Sequence, residues 1–299
     1  MRICAIDVGT NTVVSVVADV EDGVIAVLAD EERFARLGQG VDASGRLAPE
    51  AMDRVLDRLV SAAATAERLG AERVVIGATS ASRDAANVGE LQDRVRETLG
   101  LDYRVISGVE EAALSFRGAL AMLPAVDAAT VVDIGGGSTE VVTGTRAAGV
   151  AFRTSLDVGS VRLTERHFAV RPPPESAVAA AEADVRRALE AVPSDAPAGL
   201  PLVATGSVSR MLAHLSSADG AGVPYAAVAE WRARLLGLTP AEALAVAPDV
   251  LAGREDVVAA AVLVLETTMR TLGAEAYLAT PGGLRHGLAL QAAEATAGT

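Results

Sequence analysis

One stretch of this sequence combines the residue types that bind phosphate and a metal ion. Residues 131–142 read V-V-D-I-G-G-G-S-T-E-V-V, with two apolar runs around three glycines and two hydroxyl residues. Glycine lacks a Cβ and adopts positive φ readily, so backbone N–H groups in such a turn can approach an anion closely. The pattern predicts a strand, a phosphate-binding turn and a second strand. The turn residues are Gly135, Gly136, Gly137 and Ser138.

Two carboxylates flank this turn. Asp133 ends the first predicted strand and Glu140 begins the second. Mg²⁺ prefers carboxylate oxygens combined with substrate phosphate, so the pair predicts a magnesium site, with Mn²⁺ as an alternative. A plain glycine-rich hairpin is the structural alternative, but it does not account for acids and hydroxyls at fixed offsets.

A second copy of this layout opens the chain. Residues 3–19 read I-C-A-I-D-V-G-T-N-T-V-V-S-V-V-A-D, which is again an apolar run, an Asp, a turn with hydroxyls and a β-branched run. Copies about half a chain apart indicate two related lobes, each supplying one phosphate loop to a shared cleft. Alone, the first copy is typical of an ordinary Asx turn. Its candidate binding residues are Asp7, Gly9, Thr10, Asn11 and Thr12.

Other candidate residues follow predicted strands. In open α/β sheets, ligands bind at the carboxyl ends of strands. Arg83, in A-T-S-A-S-R-D, is therefore a candidate phosphate clamp, and a solvated surface arginine is the alternative. Gly206 and Ser207, in A-T-G-S-V-S-R, follow a predicted strand in the second half and are further candidate phosphate-binding residues.

Two adjacent acids, Glu110 and Glu111, open a predicted helix after the strand that ends at Ile106. The helix dipole alone favours carboxylates at this position, which is the structural explanation. The strand end that precedes them faces the same predicted cleft, which makes a catalytic role the preferred interpretation.

The elements that position these residues occur in the same order in both halves. Each half reads βββαβαβα, which predicts an α/β fold with a mixed sheet covered by helices on both faces. A Pro-containing segment at 124–129 marks the expected boundary, giving lobes at 1–124 and 125–299. Helical spacing predicts helices at 88–99 and 175–191, and a strand is predicted at 276–279.

Composition excludes several classes of chemistry. The 299-residue chain contains no lysine, which excludes a Walker-type phosphate loop and a Schiff-base lysine. One cysteine and three histidines do not supply a typical zinc site. A formal net charge of −13 argues against nonspecific binding of nucleic acid, which requires a basic surface.

Location is also constrained by the sequence. The longest apolar run, Val257 to Leu265, is much shorter than the roughly 20 residues that span a membrane. The N-terminal apolar run is interrupted by Asp7, which argues against a signal peptide, and the single cysteine, Cys4, forms no internal disulfide. We expect a cytoplasmic protein.

Six motifs in order resemble the exopolyphosphatase and guanosine pentaphosphate phosphohydrolase (Ppx/GppA) family. They run from Asp7 to Arg285 and read D-V-G-T-N-T, A-T-S-A-S-R-D-A-A-N, I-S-G-V-E-E-A, V-V-D-I-G-G-G-S-T-E, V-R-L-T-E-R and P-G-G-L-R. The resemblance implies two ribonuclease-H-like lobes with an interlobe cleft, as in actin, hexokinase and the heat-shock chaperone ATPases. The chain resembles the short, two-lobed form that lacks a C-terminal phosphohydrolase-like domain.

The resemblance implies Mg²⁺-dependent removal of the terminal phosphate from inorganic polyphosphate or pppGpp. The family's catalytic glutamate falls on Glu111, with Glu110 as the near alternative, and its arginine falls on Arg83. Its metal and phosphate ligands fall on Asp133, Glu140 and residues 135–138. Ser207 stands where a further glycine is expected. We expect polyphosphate as the substrate and a homodimer as the assembly.

Two other functions fit the same fold. A nucleotide-dependent small-molecule kinase would need an adenosine pocket and an aspartate base, and the sequence has no clear pattern for either. A non-catalytic phosphate or alarmone sensor is disfavoured because every candidate catalytic position is filled.

Overall fold

The computed structural model describes residues 1–196, 199–218 and 222–297, and its contacts divide the chain into two compact units. The first unit contains Met1–Val126 and the C-terminal segment from Gly282, and the second contains Asp127–Pro281. Strands of the first unit are β1 (Arg2–Val8), β2 (Thr12–Glu21), β3 (Val24–Phe34), β4 (Arg73–Ala78) and β5 (Tyr103–Val105). Helices up to the boundary are α1 (Val41–Ser44), α2 (Pro49–Arg68), α3 (Ser80–Asp84), α4 (Val88–Leu99) and α5 (Gly108–Ala121).

The second unit repeats the beginning of this order and then adds helices. Its strands are β6 (Ala128–Ile134), β7 (Thr139–Thr145), β8 (Gly149–Leu156), β9 (Leu202–Thr205), β10 (Val223–Pro224) and β11 (Ala276–Ala279). Its helices are α6 (Ser160–His167), α7 (Glu175–Leu189), α8 (Ser207–Leu215), α9 (Tyr225–Leu236), α10 (Pro240–Val246), α11 (Pro248–Leu251) and α12 (Val258–Thr271). The last helix, α13 (Leu284–Ala297), returns to the first unit.

The two sheets have the same strand order. In the first unit the order is β3-β2-β1-β4-β5, and in the second it is β8-β7-β6-β9-β11-β10. The first three strands of each unit pair antiparallel, and the next two join them in parallel. This is the ribonuclease-H-like arrangement in both units, so the predicted α/β fold class is confirmed, with the short β10 as an unpredicted addition.

Both faces of the first sheet are covered by helices. Met52, Val55 and Leu59 recur at helical spacing on α2 and pack in one buried cluster with alternate residues of β1. Ile3 and Ala5 of β1 face the other way, into a cluster formed with Leu288 and other residues of α13. Burial on both faces explains why β1 is an almost continuous apolar run.

Helices α5 and α13 approach each other at backbone distance. A Cβ added to Gly118 would lie 2.0 Å from the Gly283 carbonyl oxygen, and one added to Gly287 would lie 2.1 Å from the Leu114 carbonyl oxygen. Gly282 also packs on α5, because its Cβ would lie 2.2 Å from the Gly118 carbonyl oxygen. Glycines on both sides are therefore required for this contact.

Several predicted elements are confirmed and others differ. The helix at 88–99 and the strand at 276–279 have the predicted bounds, and the helix predicted at 175–191 ends at Leu189. Helix α6 and strand β10 were not predicted. The largest difference is in the domain ranges: the described residues of the C-terminal segment, 282–297, were assigned by sequence to the second lobe, but they belong to the first unit, where α13 packs on β1 and α5. Their small and apolar residues fit that face of the first sheet.

No helix in the described ranges is both long and apolar enough to span a bilayer.

We predict that Gly118→Ala destabilises the protein by about 1–3 kcal/mol, because the new methyl overlaps backbone that cannot move independently. The cost of the overlap outweighs the roughly 1 kcal/mol by which alanine is more favourable than glycine inside a helix. Denaturant unfolding measures the change. Gly89→Ala is the matched control, since nothing lies within 4 Å of its added Cβ in α4, and it should be neutral or slightly stabilising. Equal stability of Gly118→Ala and wild type would contradict the prediction.

Candidate active site

In the first unit, the candidate residues lie where β1, β4 and β5 end. The Thr79 N–H donates to the Val8 carbonyl (3.1 Å), and the Ile106 N–H donates to the Ala78 carbonyl (3.0 Å). These bonds align the three carboxyl ends at one edge of the sheet. The turn after β1, helix α3 after β4 and the start of α5 after β5 all begin there. The structure thus brings Asp7, the 9–12 turn, Arg83 and Glu111 to the same edge of this unit.

The turn at residues 9–12, the first turn, is closed by a hydrogen bond from the Gly9 N–H to the Thr12 carbonyl (2.9 Å). The Thr10 carbonyl accepts from the Gly38 N–H (2.8 Å), and the Asn11 carbonyl accepts from the Arg36 N–H (2.8 Å). Two carbonyls of the turn are therefore held by the segment that follows β3. Gly38 permits this approach, because a Cβ there would lie 2.1 Å from Cγ2 of Thr10.

The two adjacent glutamates of α5 have different surroundings. Glu111 is buried, at 7 % exposure, and its Oε2 accepts a hydrogen bond from Nη1 of Arg83 at 2.5 Å. The same Arg83 nitrogen donates to the Ile106 carbonyl (3.2 Å). Glu110 instead accepts from Nη1 of Arg104 (2.5 Å) and is more exposed. The sequence left two candidates for the base, and Glu111 is the one that lies at the strand ends.

Arg83, interpreted from sequence as a phosphate clamp, contacts a protein carboxylate instead. Its guanidinium is 20 % exposed and forms an ion pair with Glu111. Truncating one member of a pair this buried leaves the other charge desolvated, so the two side chains act as a unit. Arg83 orients Glu111, and phosphate contact by Arg83 stays a prediction.

A buried pair of hydroxyl groups joins α3 to β5. Oγ of Ser82 and Oη of Tyr103 lie 2.8 Å apart, and Tyr103 is 1 % exposed. Burial raises the pKa of the Tyr103 hydroxyl, the Ser82 hydrogen bond acts in the opposite direction, and the nearby charge of Asp7 raises it further. The hydroxyl therefore stays protonated and fixes the position of α3 relative to β5.

In the second unit, the turn at residues 135–138, the second turn, has the same closure. The Gly135 N–H donates to the Ser138 carbonyl at 3.0 Å. Helix α6 then binds the carbonyls of the turn. The Ser160 N–H donates to the Gly135 carbonyl (3.0 Å) and the Val161 N–H to the Gly136 carbonyl (2.8 Å).

Arg162 completes this arrangement with its side chain. Its guanidinium is buried, and Nε donates to the Gly137 carbonyl at 2.7 Å. Three successive carbonyls therefore point toward α6. In a trans peptide the carbonyl of one residue and the N–H of the next point in opposite directions, and no cis bond occurs here. The N–H groups of residues 136–138 consequently point away from α6, as an anion-binding turn requires.

Gly159 makes the contact between α6 and the second turn possible. A Cβ at this position would lie 2.5 Å from the Gly136 carbonyl oxygen and 2.7 Å from the Gly137 nitrogen. Gly206, just after β9, is similarly close to the end of β6, because its Cβ would lie 2.8 Å from the Ile134 carbonyl oxygen. Gly206 has φ +88°, and Ser207 follows it as the first residue of α8.

The two candidate metal ligands form a row across the second sheet. Asp133 of β6 is directly opposite Glu140 of β7, and Glu140 is directly opposite Ser155 of β8. Opposed residues share a face, with Cβ atoms about 4.5–5.5 Å apart. Glu140 is 1 % exposed, and its Oε1 accepts a hydrogen bond from Oγ of Ser155 (2.7 Å). The first unit has Asp7 opposite Val14, so it has no acid at the position that corresponds to Glu140.

This row fits a magnesium ion. Mg²⁺ is usually held by one or two carboxylates, with waters and substrate phosphate completing its shell. A divalent cation held by both carboxylates would offset the repulsion between two like charges opposed on one face. The described part of the chain has no cluster of three or more His, Cys, Asp or Glu side chains suited to a metal. The arrangement suits Mg²⁺ or Mn²⁺ delivered with phosphate more than a protein-enclosed zinc site.

Sequence reasoning missed the residues that support the turns. Gly38, Gly159 and Arg162 lay outside the candidate set, although Arg162 is in the V-R-L-T-E-R motif. A repeated signal was present: β3 ends at Phe34 and β8 at Leu156, and each is followed within four residues by a glycine that contacts the turn. Comparison of the two halves beyond their hairpins would have found both glycines.

Comparisons with known proteins find relatives of this chain. The model of the Ppx/GppA phosphatase family matches residues 16–295. Exopolyphosphatase 2 of Mycobacterium tuberculosis (strain CDC 1551 / Oshkosh) is 38% identical over 292 residues, which cover 91% of each chain.

Solved structures are similar over almost the whole chain. An exopolyphosphatase-like protein has a TM-score of 0.89 at 29% identity and covers 99% of this chain and 100% of its own. An exopolyphosphatase from Cytophaga hutchinsonii has a TM-score of 0.89 at 25% identity, with 99% and 98% covered. The Ppx/GppA family member of Aquifex aeolicus has a TM-score of 0.81 at 25% identity, also with 99% and 98% covered.

We predict that Gly159→Ala displaces the second turn from α6 and destabilises the protein by about 1–3 kcal/mol. Amide hydrogen exchange of residues 136–138 and 160–162 should become faster, because the hydrogen bonds between turn and helix are lost. Gly237→Ala is the control in the same unit: its residue has φ −83°, and the nearest atom to its added Cβ is at 3.5 Å. Unchanged exchange in Gly159→Ala would show that the close contact does not position the turn.

Proposed function

Because the chain belongs to the Ppx/GppA phosphatase family and is a phosphoanhydride hydrolase, we propose that it is an exopolyphosphatase. Its substrate is inorganic polyphosphate, from which it removes the terminal phosphate. The relative at 38% identity is named for this activity. We further propose a cytoplasmic location and a homodimer.

The observation that carries the proposal is the second turn with its row of acids. N–H groups of residues 136–138 point away from α6, and Asp133 and Glu140 lie at the ends of the strands that the turn joins. Oriented N–H groups bind phosphoryl oxygens without rearrangement, which stabilises charge that develops there during reaction. This arrangement needs no lysine and no adenosine pocket, which fits a phosphate polymer better than a kinase substrate.

Glu111 is the proposed general base. Its hydrogen bond from Arg83 fixes the carboxylate orientation, and its burial limits competition by bulk water. A base must be held within hydrogen-bond reach of the proton it removes. Glu110 is less suited to the role, because its carboxylate pairs with Arg104 in a more exposed position.

The proposed bond changes are those of hydrolysis. The oxygen of a water molecule forms a bond to the terminal phosphorus as its proton passes to the Glu111 carboxylate. The bond from that phosphorus to the bridging oxygen breaks, and its electron pair stays with the shortened polyphosphate. The leaving group is already a stabilised phosphate anion, so a strong general acid is not required.

Asp133 and Glu140 are proposed to hold Mg²⁺ together with substrate. When bound, the ion neutralises phosphoryl charge and lowers the barrier to attack. Ser155 restrains the Glu140 carboxylate for this purpose, as outer-shell hydrogen bonds commonly do at metal sites.

The substrate proposal is tested by measuring hydrolysis of long polyphosphate, tripolyphosphate, ATP and pppGpp side by side with Mg²⁺. Orthophosphate release from long polyphosphate, with the highest kcat/KM, is the expected result. A higher kcat/KM for pppGpp would reassign the substrate within the family. Transfer of phosphate from ATP to a small hydroxyl acceptor would instead favour a kinase.

Glu111→Gln should lower kcat by at least about 10²-fold with KM nearly unchanged, because a general base typically contributes 10²–10⁴-fold. Steady-state hydrolysis of polyphosphate measures both constants. The adjacent Glu110→Gln is the matched control and should retain kcat close to wild type. If Glu110→Gln is the inactive variant, the base has been assigned to the wrong residue of the pair.

Ser155→Ala should raise the Mg²⁺ concentration for half-maximal activity about 10–100-fold, the usual cost of losing an outer-shell partner. At saturating Mg²⁺, kcat should remain near wild type. Thr154→Ala removes a hydroxyl from the neighbouring residue of β8, which faces the other side of the sheet, and should leave the Mg²⁺ dependence unchanged. Identical Mg²⁺ titrations for all three proteins would remove Glu140 from the proposed ligands.

A further inference from the structure

A separate pocket lies at the edge of the first sheet, next to β5. In the part of the chain that the structure describes, the three residues of β5 pair with residues 76–78 of β4, and no strand lies beside residues 73–75 on that side. Helix α13 crosses over this gap and leaves a pocket of about 210 Å³, called here the edge pocket. It is lined by Arg73, Val75, Arg104, Leu288, Gln291, Ala292 and Ala295.

The charge of the edge pocket is unusual for this protein. The chain has 39 acidic and 26 basic residues, yet the described lining includes two arginines and no acid. Nη1 of Arg73 donates to the Ala292 carbonyl (3.1 Å) and to the Thr296 hydroxyl (3.3 Å), which are both neutral acceptors. Within the described ranges, Arg73 has no carboxylate partner. The hydrogen-bond acceptors of its guanidinium are therefore neutral groups.

The second arginine is held in place by two neighbours. Nη2 of Arg104 donates to Oε1 of Gln291 (2.9 Å), and Nη1 donates to Oε1 of Glu110 (2.5 Å). With its oxygen engaged, the Gln291 amide keeps its NH₂ group as a donor. Two guanidinium-bearing side chains and one amide side chain thus line the same small pocket, together with Val75, Leu288, Ala292 and Ala295.

We propose that the edge pocket binds a phosphate group. Guanidinium groups match tetrahedral oxyanions through paired N–H donors, and the volume suits one or two phosphoryl groups rather than a nucleotide. Orthophosphate and the terminal group of a short polyphosphate offer the same chemistry to this pocket. The proposal does not depend on the hydrolytic activity, because all of the contacts lie away from the two turns.

Occupancy of the edge pocket is coupled to α5 through Arg104. An anion in the pocket competes with Glu110 for the Arg104 guanidinium, and Glu110 is in the first turn of α5, next to Glu111. Charge-assisted hydrogen bonds of this kind are stronger than neutral ones. Binding of phosphate should therefore loosen the contact between Glu110 and Arg104.

Arginine modification by phenylglyoxal, mapped by mass spectrometry, tests the proposal on the whole protein. Orthophosphate is added at matched ionic strength, with tripolyphosphate in EDTA as a second arm. At a ligand concentration ten times Kd, we expect modification of Arg73 to be about tenfold slower. Arg68 and Arg96, which do not line the edge pocket, should react at unchanged rates. Protection by only one of the two compounds identifies the source of the phosphate group.

Two variants distinguish a built site from general ionic effects. Arg104→Met should abolish the protection of Arg73. Arg117→Met removes an arginine of α5 that pairs with Glu294 of α13 outside the pocket, and it should retain the protection. Equal modification of Arg73 with and without both compounds would overturn the proposal. Equal slowing at Arg73, Arg68 and Arg96 would overturn it as well. Neither outcome depends on hydrolysis, so the proposed function is judged separately.

Discussion

The planar trans peptide is the constraint on which the candidate site depends. A turn can direct its N–H groups toward an anion only if the preceding carbonyls point to the opposite side, and hydrogen bonds to those carbonyls hold them there. In the second unit, the first residues of α6 and the Arg162 side chain bind the carbonyls of residues 135–137. In the first unit, the segment after β3 binds the carbonyls of Thr10 and Asn11. The carbonyls of the turn are therefore bound by the start of a helix in the second unit and by a loop in the first.

The two units differ in how they use this shared arrangement. Behind the second turn, Asp133, Glu140 and Ser155 form a polar row across three strands. The corresponding row behind the first turn contains Asp7, Val14 and Glu32. The first unit instead carries the buried pair of Arg83 and Glu111 at its strand ends. The two units thus carry similar turns with different side chains around them.

The sequence was sufficient for the fold class and for the residues of the turns. Alternation of apolar runs with Asp and Gly identifies β1 and β6 directly, because their side chains face the core on both sides. The supporting residues were not predictable in the same way. Gly159 lies close to Gly136, although the two are 23 positions apart, and the contact arises from the path of β8 and α6 rather than from any local pattern.

The choice between Glu110 and Glu111 shows the same limit. Both acids suit the first turn of a helix, so local preference does not separate them. Their ion-pair partners separate them, because Glu111 pairs with Arg83 of α3 and Glu110 pairs with Arg104 of β5. The last helix was assigned to the wrong half for a related reason, since its apolar pattern alone does not identify the sheet on which it packs. The close glycine contacts between α5 and α13 place the last helix in the first unit, and they join residues more than 160 positions apart.

The return of α13 to the first unit bears on how the nascent chain matures. When the ribosome has made the first 126 residues, one face of that sheet still lacks the helix that completes its apolar cluster. Translation at 5–20 residues per second must then deliver the second unit first, a delay of roughly 10–30 s. The second unit is continuous in sequence, whereas the first unit is completed by a helix that is made after the second unit. The apolar residues of β1 and β2 that face α13 therefore stay uncovered by that helix until the end of synthesis.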